Sequence, residues 1–139
     1  MSVTPTEGQL GQASLVYKGN VRAANMELGL WAGTWSEEYD VTYNEASARF
    51  TKLAGNGADA VTLDDSNVII TAVGDTVTVT WPAELFSLTG TVTVNGYYIA
   101  IDVGGAMTLE TVERDPTERN FTAGESYTVT PNITLKDNV

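Results

Sequence analysis

The segment Thr76-Val77-Thr78-Val79-Thr80-Trp81 constrains this chain more than any other. Threonine alternates with an apolar residue for six positions, so Val77, Val79 and Trp81 share one face and the threonines the other. A helix would scatter that pattern around its circumference, whereas a strand half-buried against a core requires it. The preceding run, Val68-Ile69-Ile70-Thr71-Ala72-Val73, joins it through Gly74-Asp75, a two-residue hairpin turn. Pairing across that turn sets Ala72 opposite Val77, Ile70 opposite Val79 and Val68 opposite Trp81. Both strands then agree on the inward face, and the register assigns Trp81 to the core.

Two further hairpins are predicted. Thr91-Val92-Thr93-Val94 runs into Asn95-Gly96 and then Tyr97-Tyr98-Ile99-Ala100-Ile101-Asp102. Asn-Gly suits the two positive-φ positions of a type I′ turn, which sets Val94 beside Tyr97 and Val92 beside Ile99. At Gly104-Gly105 a two-residue turn would pair Ile101 with Thr108 and Ala100 with Leu109, mixing the faces. A three-residue loop, Gly104-Gly105-Ala106, instead pairs Val103 with Met107 and Ile101 with Leu109, and a bulge accommodates it.

Further strands are predicted at Ala13–Lys18, Tyr39–Tyr43, Ser126–Thr130 and Ile133–Lys136. Met26–Trp31 reads as a strand, with a short helix over Val21–Leu28 as the alternative. Asn44–Gly55 reads as helix, because Asn44 can cap and Ala46, Phe50, Leu53 and Ala54 fall on one face. Short strands punctuated by Gly, Asn and Asp turns predict an all-β fold, an antiparallel β-sandwich or jelly-roll-like domain with at most one or two short helices. With 139 residues, one domain is expected, over residues 13–139. Residues 1–12 carry Pro5, Gly8 and Gly11 and little that is apolar, so they read as an extended N-terminal arm.

The chain contains no His and no Cys. Imidazole general bases, thiolate nucleophiles, zinc–thiolate sites and disulfides are therefore unavailable to it. Carboxylate chemistry, Lys or Tyr chemistry, or an oxygen-ligated cation remain. Seven Lys and Arg stand against 18 Asp and Glu, a formal net charge of -11. The basic residues are spread along the chain, so no patch replaces the counterions of a nucleic acid, and an anionic membrane surface is disfavoured in the same way. Residues 1–8 have neither a basic nor an apolar signal region, so the expected product carries no signal peptide and is made in the cytoplasm.

The carboxylates Glu37, Glu38 and Asp40, the pair Asp64 and Asp65, and a cross-strand patch of Asp102 and Glu110 read as solvated surface. Asn56-Gly57-Ala58-Asp59 and Asp64-Asp65-Ser66-Asn67 offer oxygens in turns without the spacing of a known calcium loop, and Asp and Asn favour turns for conformational reasons. Asn120-Phe121-Thr122 and Asn132-Ile133-Thr134 match the glycosylation sequon, which is frequent by chance in such a composition. Tyr39, Val41 and Tyr43 share a core-facing side, whereas Trp31, Trp35 and Tyr98 are candidates for an exposed aromatic platform.

A short acidic Thr/Val/Gly-rich β domain with an extended arm and no catalytic constellation resembles the capsid decoration, or cement, proteins of tailed bacteriophages. The likeness lies in the overall style of the chain, and no family residue is carried over. It implies a non-enzymatic virion protein on the capsid exterior, binding copies of itself as a dimer or trimer and a major capsid protein, without a cofactor. The candidate partner-binding residues are Val3, Pro5 and Leu10 in the arm, with Trp31, Trp35 and Tyr98 as anchors. Phage tail, neck and baseplate proteins share the style. A carbohydrate-binding β-sandwich stacking sugars on Trp31, Trp35 or Tyr98 is the alternative from another class.

Overall fold

A computed structural model describes residues 2–3, 26–36, 41–44, 49–63, 68–73, 76–103 and 105–136. The fold is all-β and sandwich-like, with antiparallel sheets and no helix among the described residues. Its strands are β1 (Ser2–Val3), β2 (Met26–Ala32), β3 (Thr51–Lys52), β4 (Val61–Thr62), β5 (Ile69–Val73), β6 (Thr76–Thr80), β7 (Glu84–Ser87), β8 (Val92–Val103), β9 (Ala106–Phe121), β10 (Ser126–Val129) and β11 (Asn132–Lys136). The largest sheet runs β1-β9-β8-β2-β3, with β4 also paired to β2. Three strands form a second sheet, β11-β6-β5, and β10 pairs with β7.

The β5–β6 hairpin has the register expected from alternation, with Ile70 opposite Val79 and Ala72 opposite Val77. Its turn, Gly74-Asp75, lies outside the described residues, as do the strand predicted at Ala13–Lys18 and residues Tyr39, Pro5 and Leu10. Trp81 follows β6 into the core at 4% exposure. There its backbone N–H donates to the Pro131 carbonyl, which links β6/β7 and β10/β11 into one bent ribbon. The predicted strands at 126–130 and 133–136 correspond to β10 and β11.

Three expectations are corrected. First, Asn95-Gly96 is not a turn: β8 passes straight through it and pairs with β9 along its length. Val94 faces Arg119 and Gly96 faces Arg114, so a single β8 residue, Asn95, stands against the four residues 115–118 of β9. This irregularity flips side-chain parity, as a two-residue turn would. Val92, Val94, Tyr97 and Ile99 therefore all enter the same core, as the alternation demanded. Second, the next turn is the two-residue one: Val103 faces Ala106, Ile101 faces Thr108 and Ala100 faces Leu109. The mixed faces are repaired three residues on, where Ile99 pairs with Thr111 and Glu110 is the extra, bulged residue. Third, the described part of Asn44–Gly55 is turn, bridge and strand rather than helix. Its backbone is committed to β2: Trp31 faces Lys52, Ala32 faces Thr51, and the Leu53 N–H donates to the Leu30 carbonyl. Tyr43, with Val41 near it, likewise lies in a turn rather than a strand.

Two cores flank the large sheet. Leu28, Leu30, Val94 and Ile99 on one face pack with Trp81, Phe86, Val129 and Ile133 of the ribbon. On the opposite face Trp31, Tyr98, Ala100, Leu109 and Val112 pack with Trp35, Val41 and Phe50 from the segments following β2. That second core is where the candidate aromatics lie.

Candidate functional site

Trp31 and Trp35 are fully buried and Tyr98 is 2% exposed, so none offers a stacking surface and the expected exposed platform is corrected. The Trp31 and Trp35 rings meet edge-on at 5.6 Å, and Phe50 stacks on Trp31 at 5.3 Å. Tyr98 lies across from Gly29, and its ring occupies the space that a side chain at position 29 would fill. A glycine within an apolar strand is the one sequence signal of such a close approach. Tyr43 covers Tyr98 edge-on, and the Lys52 ammonium sits 3.4 Å from the centre of the Tyr43 ring.

Around the Asn95–Gly96 irregularity the side chains form a polar network. Asn95 is 4% exposed; its Oδ1 accepts from the Gly33 N–H at 3.0 Å and its Nδ2 donates to Glu118 Oε1 at 3.2 Å. Gly96 lets the chains close up, since any Cβ there would collide with the Glu113 carbonyl oxygen and approach Trp31 Nε1 to 2.8 Å. Trp31 Nε1 donates to that same carbonyl at 3.2 Å. Arg114 donates to the Trp35 carbonyl and lies 5.6 Å from the Trp31 ring. The four-residue excursion of β9 is tied down by the Arg119–Asp115 ion pair at 3.0 Å and by the Tyr127 hydroxyl, which donates to Asp115 at 3.0 Å. The Tyr97 hydroxyl donates to Glu113 Oε2 at 2.8 Å.

Burial raises the pKa of the Tyr97 phenol well above 10, and the adjacent Glu113 charge and hydrogen bond add to the effect. Burial does the same for Tyr98, with the charge of Glu27 behind it, and for Tyr127, with Asp115 as acceptor. Tyr43 is pushed up to about 12 by burial and then by its hydrogen bond to Glu27. These phenols stay protonated, and those of Tyr43, Tyr97 and Tyr127 act as hydrogen-bond donors that hold the carboxylates of Glu27, Glu113 and Asp115 in place. The network ties β8 to β9 through Asn95–Glu118 and Tyr97–Glu113, β9 to β10 through Asp115–Tyr127, and both β8 and β9 to the segment after β2 through Gly33 and Trp35, while Arg119–Asp115 braces β9 itself.

The remaining candidates have structural roles or fall outside the described residues. Asp102 Oδ1 accepts from the Gly105 N–H at 2.8 Å and shapes the β8–β9 turn. Glu110 is 4% exposed at its bulge, so the predicted surface patch of Asp102 and Glu110 is not formed. Asn56 and Gly57 adopt positive φ in a tight turn, where Asp59 Oδ1 accepts from the Gly55 N–H and the Asn56 carbonyl accepts from the Thr89 N–H. Those oxygens shape the turn and tie it to the segment at Thr89. Among the described residues no group of three acidic side chains is disposed to hold a metal ion. A surface depression of about 200 Å³ between Leu53, Asn56 and Val92 is smaller than ordinary ligand pockets, which run to roughly 300–1,000 Å³. Glu37, Glu38, Asp40, Asp64 and Asp65 lie outside the described residues. No helix among the described residues is long and apolar enough to cross a membrane.

Of the arm candidates, Val3 is described: Ser2 faces Glu113 and Val3 faces Val112, so the N-terminal residues add a strand to the outer edge of β9. The sequence indicated an extended arm but not where it would pair. The chain matches no protein-family model and no curated protein.

Proposed function

We propose that this chain is a non-enzymatic structural protein of a phage virion, of the capsid decoration type, that stabilises a shell through contacts between subunits. The observation that carries the proposal is the pairing of Ser2–Val3 with Val112–Glu113, because it identifies a sheet edge able to take an extended terminal segment. In a lattice, the same edge can receive the first residues of a neighbouring copy. The filled aromatic interior and the hydrogen bonds that tie β8 to β9 and β9 to β10 suit a β domain that must resist mechanical strain. Tail, neck and baseplate roles use the same features and differ in the partner. The carbohydrate-binding alternative loses the platform it was built on, since Trp31, Trp35 and Tyr98 are interior.

The test is deletion of residues 1–12 from the purified protein, followed by co-sedimentation with a candidate capsid. The expected result is weakened capsid binding with the far-UV β spectrum retained. Unchanged capsid binding by a folded truncation would overturn the role of the arm, and failure of the full-length protein to bind capsids, tails or baseplates would overturn the virion assignment.

A further inference from the structure

The bent ribbon formed by β5, β6, β7, β10 and β11 has an inner face in the core and an outer face toward solvent. Alternation along β10 and β11 is unbroken, with Val129, Pro131 and Ile133 buried and Thr128, Thr130 and Thr134 exposed or partly exposed between them. Across the strands, Thr71, Thr78 and Thr134 form one row, and Ile69, Thr80 and Asn132 the next. Beyond the bend, Leu85 pairs with Thr128 and Ser87 with Ser126. These outward positions carry no acidic residue, although the chain has 18 Asp and Glu. Glu84 lies opposite the buried Val129, on the inward side, and Lys136 at the far end of β11 is the one charged residue at an outward register position. A second, independent observation coincides with the first. Among the described residues the large hydrophobics that stand exposed are Ile69 at 65% and Leu85 at 61%, and both lie on this face.

Soluble domains carry charge at roughly a quarter of their positions, and depletion of charge around exposed apolar side chains marks the centre of an interface. Edge strands usually carry a charge or a proline that blocks pairing; β5, Ile69–Val73, carries neither, and among the described residues only β6 pairs with it. We infer that this acid-free face and the β5 edge form a self-association surface, occupied by a second copy of the same chain. The occupant follows from charge. Two chains of net charge -11 repel wherever carboxylates face one another, and here they can meet without doing so. Threonine hydroxyls both donate and accept, and an antiparallel edge is its own complement, so a two-fold contact satisfies both copies. The footprint, about ten residue steps along the ribbon by two to three strands, is on the order of 400 Å² per copy. That is about half of a standard interface, so the isolated pair is weak and gains strength when copies are held side by side. The inference rests on the self-assembly part of the proposed function.

Sedimentation equilibrium of the purified full chain from about 10 to 500 μM tests it. The expected result is reversible dimerisation in that range, weakened at least about tenfold by Ile69→Asp and by Leu85→Asp. Ala123→Asp, in an exposed turn off this face, is expected to leave association unchanged. Near-UV circular dichroism checks the fold of each variant. Because the chain has no native Cys, Ile69→Cys supplies a second readout, a disulfide-linked dimer under mild oxidation. A wild-type protein monomeric throughout, or association as strong in both Asp variants as in wild type, would overturn the inference. These measurements contain no capsid: a dimer lost in both variants of a protein that binds no virion part keeps the inference and removes the virion reading, whereas a strict monomer that binds capsids does the reverse.

Discussion

Replacing Gly96 by alanine separates two explanations of the Asn95-Gly96 pair. If Gly96 supplied a positive φ in a turn, alanine would cost about 1 kcal/mol of backbone strain. In this structure Gly96 lies mid-strand, and the added methyl would collide with the Glu113 carbonyl oxygen and crowd Trp31 Nε1. Relief requires β9 to retreat from β8 at Glu113, which breaks the hydrogen bond from Trp31. Overpacking costs roughly 1–3 kcal/mol, and leaving the indole N–H of a fully buried side chain without an acceptor roughly 1–3 kcal/mol more. A total of about 2–6 kcal/mol is expected, a large share of the roughly 5–15 kcal/mol that holds such a domain together. The reference variant is Gly105→Ala, at φ 92 with nothing within 4 Å of the new methyl, for which only the backbone term of about 1 kcal/mol applies. Urea unfolding followed by tryptophan fluorescence measures both. Equal losses in the two variants, or a loss below about 1 kcal/mol for Gly96→Ala, would refute the close-approach account.

Three other outcomes follow from the same geometry. Gly29→Ala displaces the Tyr98 ring from a site where it is 2% exposed, and a loss of about 2–3 kcal/mol is expected in the same unfolding assay; a neutral variant would mean that the ring has room to move. Asn95→Ala removes the acceptor for the Gly33 N–H and the donor to Glu118, with an expected loss of about 2 kcal/mol; full stability would show that water replaces the side chain. Tyr43, Tyr97, Tyr98 and Tyr127 have folded pKa values above the unfolded value of 10, so their contribution is intact below pH 10. As pH rises past 10 the unfolded chain ionises while the folded phenols hold their protons, and stability falls. The urea midpoint should therefore drop between pH 10 and 11.5, with tyrosinate absorbance appearing as the protein unfolds; a flat midpoint across that range would contradict the assignment.

Where one local pattern had one structural meaning, the sequence was readable. The Thr–Val alternation of β6 has no helical solution, and its partner β5 ends only two residues before it, so fold class and register follow. Asn95-Gly96 shows the opposite case. A two-residue turn and a strand irregularity both reverse side-chain parity, so alternation places Val92, Val94, Tyr97 and Ile99 on one face without distinguishing a hairpin from a continuous irregular strand. What decides between them is the contact of Gly96 with Glu113 and of Asn95 with Gly33, both far away in sequence. At Gly104-Gly105 the two-residue turn looked inconsistent because the compensating bulge at Glu110 has no residue signature. Phe50 and Leu53 have helical spacing, but their backbone is drawn into pairing with β2, which propensity cannot register. The exposure of Trp31, Trp35 and Tyr98 depended on segments that fold over them from elsewhere in the chain.

The arrangement of β8 and β9 also sets an order of events during folding. Val103 and Ala106 meet across a two-residue turn, so this long hairpin can close within microseconds, as hairpins of local sequence do. Joining β2 to it requires residue 26 to find residue 101, and closing the ribbon requires residue 76 to find residue 136. Loop-closure entropy makes both steps slow compared with the hairpin. Through that interval the uncharged Ile69–Val73 segment is already synthesised but has no completed sheet beside it. The window in which the chain is most prone to sticking to other nascent chains thus opens before the C-terminal strand arrives; β11 then completes the sheet on the far side of β6 and leaves the outer edge of β5 as it was.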